Sequence, residues 1–310
     1  YHTMFGGLSM LGTVQIQAPQ IKKSLIPKLD NISQKEITDI VDEILRIKRN
    51  DCNADTAQLE KEIDKLVYNL YDLTEEEIIS TLKHSSIHTI LVEGKDDVKI
   101  FRWLENDINR SNSLHVDILP CGCRNKLLNI YEKLQSTLPN VIFIADRDYY
   151  IYTRIPEKYS DVVFTTGYSI ENDLYHGKDI EKLFNEDDAA IFSQSMNSYL
   201  EYYAREVEKC IEGEKFQLKL SPQQILERFK LKDEYKPEKS PQESTISNLR
   251  ENYDLLLRGH SLFQLLNMVL TRKERLSKPN MDSIYEICYK YNKPASIENL
   301  KKKIISLLKL

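Results

Sequence analysis

The chain has 310 residues, 41% hydrophobic and 29% charged, with a formal net charge of −5. That balance belongs to a folded protein with a sizeable core; it excludes long disordered tracts and gives no sign of the strongly basic surface that holds nucleic acid by charge alone. No run nears the roughly 18 apolar residues of a membrane helix, and the opening lacks the basic-then-apolar pattern of a secretory signal, so the expectation is no membrane and a cytoplasmic location.

The opening alternates apolar and polar residues over 12–17, a strand-like pattern, and Pro19 and Pro27 bound an extended stretch after it. Three helix starts follow, at Ser33 with Glu36, Asp55 with Gln58, and Thr74 with Glu77. Each pairs an N-cap oxygen with a carboxyl or amide three residues on, which satisfies orphan N–H groups at both ends of the turn. Ile37, Ile40, Val41, Ile44 and Leu45 form one apolar face, and Leu59, Ile63, Leu66 and Val67 another. Tyr1 opens the chain with Met4 close behind, as in a fragment of a longer protein.

From residue 87 short β-rich runs alternate with helical ones: strands at 87–92, 115–119, 141–145 and 162–166, helices at 98–108 and 125–138. Nearly apolar strands separated by helices predict an α/β fold, a parallel sheet covered by helices on both faces. Beyond 175 the chain reads as helical, with starts at Ser221-Pro222 and Ser296, a solvated loop at 232–243, and Lys301, Lys302 and Lys303 on a solvated helix face. The expected division is a helical segment at 1–83, an α/β domain at 84–180 and a helical region at 181–310 packed on it. Cys52, Cys121, Cys123, Cys210 and Cys288 are odd in number and scattered, which fits reduced thiols. Cys121-Gly122-Cys123 is a close pair without the second pair that a zinc site needs.

In parallel sheets functional groups gather past the carboxyl ends of the strands. The first strand ends in Glu93-Gly94-Lys95-Asp96-Asp97, and the third in Asp146-Arg147-Asp148. Alternation along an extended segment would send Asp146 and Asp148 to one side, where they converge with Glu93 on a cation; hard oxygen ligands suit Mg²⁺ or Mn²⁺. Asp96 and Asp97 serve equally well as helix caps.

Val92-Glu93-Gly94-Lys95-Asp96-Asp97, Cys121-Gly122-Cys123, Ala145-Asp146-Arg147-Asp148-Tyr149 and Tyr168-Ser169-Ile170-Glu171-Asn172, in this order, resemble the Toprim superfamily. Within it they look like a bacterial group akin to the nuclease half of the OLD proteins and to the Toprim effector of the PARIS anti-phage system, over residues 84–310. The resemblance implies a Toprim-like sheet and Mg²⁺- or Mn²⁺-dependent cleavage of DNA or RNA in anti-phage defence. It makes Glu93, Asp97, Asp146 and Asp148 metal ligands, and Glu93, Asp146 and Asp148 the catalytic set. It adds Glu171 as a further ligand, with capping of the helix after Ser169 as the competing reading. Lys95, Arg124 and Lys126 are close enough in sequence to the strand tips to contact phosphate; for each, a solvated surface position competes. Cys123 stands where the family often has a second glycine, which puts close backbone approach at that turn in doubt.

Residues 5–83 bear a different resemblance, to the C-terminal target-recognition tail of fused restriction–methylase enzymes, carried above all by the run 62–78, Glu62 to Ile78. No methylase motif of the Asn-Pro-Pro-Tyr type is present, and no P-loop, so an ATPase step would need a separate OLD- or ABC-type partner. A homo-oligomer is compatible with this reading. The alternative to a nuclease is a non-catalytic regulatory or nucleic-acid-docking module.

Overall fold

The computed structural model describes residues 31–50, 74–94, 98–112, 115–134, 138–230 and 240–308, together with Thr56 and Leu59. The chain divides into two compact units, 1–72 and 73–310. In the first, helix α1 (Asn31–Asn50) begins two residues ahead of the expected Ser33 cap. The expected strand at 12–17 and the helix start at Asp55 lie outside the described residues.

The second unit opens with α2 (Glu75–His84), started by the Thr74–Glu77 capping box: the Glu77 N–H donates to Thr74 Oγ1 at 3.2 Å and the Thr74 N–H to Glu77 Oε2 at 2.8 Å. This helix belongs to the sheet domain. Its Ile78 and Leu82 are fully buried among Leu91, Leu127, Ile130 and Phe143, so the division falls between 72 and 73, upstream of the expected 83–84.

Four strands follow, β1 (His88–Val92), β2 (Val116–Pro120), β3 (Val141–Ala145) and β4 (Val163–Phe164), all parallel and ordered β2-β1-β3-β4. Helix α3 (Val98–Asn112) joins β1 to β2, and α4 (Arg124–Leu134) joins β2 to β3. The α/β expectation is met. Alternate strand residues serve two cores: Ile90, Val92, Ile142 and Ile144 pack with α3, whereas Leu91, Phe143 and Ala145 pack with α2 and α4. Period-2 burial on both faces explains why the strands read as continuous apolar runs. The outer edge of β2 is covered by α3, where the Val116 N–H donates to Asn109 Oδ1 at 2.9 Å and the Ile118 N–H to Glu105 Oε1 at 3.0 Å. That leaves fewer free donors for another chain's strand.

After the short α5 (Ile170–Tyr175) come α6 (Glu186–Ile211), α7 (Pro222–Lys230), α8 (Glu243–Glu251), α9 (Tyr253–Leu256), α10 (Gly259–Leu270), α11 (Met281–Ile287) and α12 (Ala295–Leu308). Their apolar faces, including Tyr199, Tyr203, Phe263 and Leu266, share one core with the α3 side of the sheet. Asp188, fully buried in the first turn of α6, is clamped by Arg272, at 2.5 Å, and Arg275. Among the described residues no helix is long and apolar enough to cross a membrane.

Candidate functional site

The strand order places the topological switch between β1 and β3, the two strands whose chain continuations run to opposite sides of the sheet. A crevice opens past the carboxyl ends of such a pair. Glu93 follows β1 and Asp146 follows β3. The Asp146 N–H donates to Glu93 Oε1 at 2.7 Å, so the two strand tips are joined through the very residues singled out from sequence.

Asp146 and Asp148 reach this place by a route other than strand alternation. β3 ends at Ala145, and Asp148 opens a 3-10 turn, Asp148–Ile151, with φ of 49°. A left-handed aspartate costs roughly 1–3 kcal/mol and persists only where its surroundings fix it. Here they do. The Asp148 N–H donates to Tyr168 O at 2.7 Å, the Arg147 N–H to Thr165 Oγ1 at 3.0 Å, and the Thr165 N–H to Ala145 O at 3.1 Å. Asp146 turns towards α5, where its Oδ1 accepts from the Ile170 N–H at 3.0 Å. Asp148 turns towards the start of α4. Its carboxylate lies 2.8 Å from the Arg124 guanidinium, at an angle short of a hydrogen bond.

The Arg124 guanidinium lies over two neighbouring tyrosines, 4.6 Å from the Tyr149 ring and 4.9 Å from the Tyr150 ring. The turn that launches it is made by Gly122, at φ of 110°, whose N–H donates to Glu93 O at 2.7 Å. Cys123 is not among the described residues with positive φ, so a side chain there needs no strained backbone and the departure from glycine is tolerated. Glu93, Gly94, Gly122, Cys123, Arg124 and Asp148 line an open cavity of about 390 Å³.

The electrostatics of this cavity are set first by burial and only then by the neighbouring charges. Burial, and then the Asp148 carboxylate, push Glu93 up to about 8, against the stabilising Asp146 N–H and the Arg124 charge. Asp148 is likewise raised by burial, with Arg124 and Arg258 opposing and Glu171 adding to the rise. The Cys121 thiol, buried beneath the turn, is pushed up to about 12 by burial.

Glu171 accepts from the Ser169 hydroxyl, but the residue that closes the cap of α5 is Asn172, whose Oδ1 accepts from the Ser169 N–H at 3.0 Å. Glu171 is thus a neighbour of Asp148 and not the capping residue. Lys126 is half-buried, its charge acts on Glu75, Glu77 and Cys121, and it is not among the residues that line the cavity. Lys95 and Asp97 lie outside the described residues. Among the described residues no three His, Cys, Asp or Glu side chains are grouped to enclose a metal ion; Glu93 and Asp148 form a two-carboxylate mouth.

No protein-family model matches the chain, and no curated protein matches it. The site therefore rests on its geometry. One residue that the sequence pattern does not single out is Arg258, brought to Asp148 from the helical region. No local motif marks it; only the packing of the segment 254–259 shows its place.

Proposed function

We propose that the chain is a divalent-cation-dependent nuclease of Toprim type that cleaves phosphodiester bonds of DNA or RNA, in the setting of bacterial anti-phage defence in the cytoplasm. The observation that carries the reading is Glu93 and Asp148 on one open cavity at the β1–β3 switch point, with Asp146 joined to Glu93 through its backbone N–H and the Glu93 carboxyl pushed towards neutrality by burial and then by the Asp148 charge. The donor set fits Mg²⁺ or Mn²⁺. Mg²⁺ is commonly held by one or two protein carboxylates and keeps several waters, so Glu93 and Asp148, with Asp146 beside them, are enough to hold it at a phosphate. A bound cation would polarise the phosphoryl oxygen and lower the pKa of a water molecule.

The chain's own groups supply the rest. Glu93, with its carboxyl pushed up to about 8 by burial and then by Asp148, holds its proton near neutral pH and would give it up on ligating a cation. Arg124, stacked on Tyr149 and Tyr150, keeps its fork at the cavity and can exchange Asp148 for a phosphate oxygen. Glu171 stands behind Asp148 as a supporting acid. An ATPase partner and assembly into a homo-oligomer belong to the same proposal.

A second reading, a non-catalytic docking or regulatory module, is favoured by one observation: an oxygen of each of the three carboxylates already faces an internal partner, the Asp146 N–H, the Ile170 N–H or Arg124. Incubation of the full chain with plasmid DNA and with structured RNA, in Mg²⁺, in Mn²⁺ and in EDTA, separates the two. The nuclease reading expects cutting that needs the cation and is abolished by Glu93→Gln and by Asp146→Asn. Equal cutting by those variants, or none by the wild-type chain on either substrate, would overturn it.

A further inference from the structure

The segment 254–259, which runs from α9 into the first residue of α10, is fastened directly onto the residues that follow β4. The Tyr168 N–H donates to Leu255 O at 2.8 Å, and the Asn172 side-chain amide donates to Asp254 O and to Leu257 O, each at 2.8 Å. The Arg258 N–H donates to the hydroxyl of the buried Tyr203 at 2.8 Å. Gly259 completes the docking by having no side chain: a Cβ there would stand 2.3 Å from Ser169 Oγ and 2.8 Å from Glu171 Cβ. The backbone at 258 is therefore fixed beside Glu171 on the flank of the carboxylate cavity, while the Arg258 side chain stays exposed. A fixed backbone carrying a solvent-reaching guanidinium is poorly explained as packing. Its planar fork matches the paired oxygens of a phosphate.

We infer that Arg258 is a phosphate-binding residue of this site, placed by the docked 254–259 segment to act with Arg124 on the backbone of a bound nucleic acid, so that the helical region completes the site. Its charge also opposes the rise of Asp148. The inference rests on the nuclease reading for the nature of the ligand but not for the cleavage step.

The test is fluorescence anisotropy of a fluorescein-labelled single-stranded DNA oligonucleotide with the full chain in Ca²⁺, titrated at several salt concentrations. Arg258→Gln should weaken binding about tenfold and lower the slope of log affinity against log salt by about one. Arg258→Lys should restore the slope while recovering only part of the affinity, since it keeps the charge and loses the fork. Affinity within about twofold of wild type and an unchanged slope in Arg258→Gln would overturn the assignment, as would a wild-type chain that does not bind the oligonucleotide. A wild-type chain that binds but does not cut in Mg²⁺ or Mn²⁺ overturns the nuclease reading alone, and the lost slope in Arg258→Gln then still supports the assignment. An Arg258→Gln chain that melts lower yet binds with the wild-type slope would make the residue a structural counter-charge, against the inference.

Discussion

Replacing Glu93 by glutamine should change stability in a way that depends on pH and needs no metal. The glutamine oxygen can still accept from the Asp146 N–H, so packing and hydrogen bonding are kept while the ionisable group is removed. In the folded chain Glu93 is pushed from its ordinary 4.5 up to about 8. A carboxyl raised on folding holds its proton longer in the native state than in the unfolded one. Its stabilising contribution is whole below the unfolded pKa of 4.5 and is lost as pH rises through the folded value of about 8. Between those two values the loss runs at about 1.4 kcal/mol for every tenfold fall in proton concentration, so from about pH 6 to pH 9 the wild-type chain should lose about 2–3 kcal/mol that the variant does not. Asp148 titrates in the same direction, so the measured difference belongs to the interacting pair. The assay is urea denaturation of both chains in EDTA across that range. The variant should be the more stable chain throughout that range, and its advantage should grow by that amount from the acid to the alkaline end. Parallel pH profiles would refute the reasoning, because they would mean that Glu93 ionises in the folded chain as freely as in the unfolded one.

Three further outcomes are expected. Asp188→Asn should destabilise the helical region by about 3–5 kcal/mol in chemical denaturation, since it leaves Arg272 and Arg275 facing a buried neutral amide; a loss under about 1 kcal/mol would show the clamp to be solvated. Glu171→Gln should weaken Mn²⁺ binding in calorimetry while the melting temperature is kept, because the cap of α5 is closed by Asn172; unchanged affinity would remove Glu171 from the metal site. Alkylation should modify the exposed Cys123 well before the buried Cys121, Cys210 and Cys288, and a bulky adduct there should block cleavage by filling the cavity it lines; full activity with Cys123 fully modified, verified by mass spectrometry, would place the substrate elsewhere.

The strands were legible in the sequence because burial on both faces writes a continuous apolar run. The β1 and β3 tips, and with them Glu93 and Asp146, follow from that pattern and from the tendency of parallel sheets to gather function at their carboxyl ends. The course of Asp148 was not legible. Its left-handed turn is imposed by hydrogen bonds that Arg147 and Asp148 donate to the segment 165–168, and no local propensity announces it. The boundary expected at 83–84 missed α2 for a related reason: the Thr74–Glu77 cap marks where a helix starts, but only the burial of Ile78 and Leu82 says which core it joins. In the sequence Arg124 is one of three equivalent basic residues, and what distinguishes it from Lys126 is the pair of tyrosines beneath its guanidinium. Arg258 and Gly259 lie far along the chain from the carboxylates, and their part in the site exists only once α5 is packed against the segment 254–259.

The central claim, that Glu93 and Asp148 with Asp146 form one cation site, is tested most directly by the anomalous difference density of crystals grown with Mn²⁺. A peak bridging the Glu93 and Asp148 carboxylates, with Arg124 turned away from Asp148 and the peak lost in Glu93→Gln, is the predicted result. Mn²⁺ bound elsewhere, or Arg124 still paired with Asp148 at saturating Mn²⁺ and no density between the acids, would contradict it.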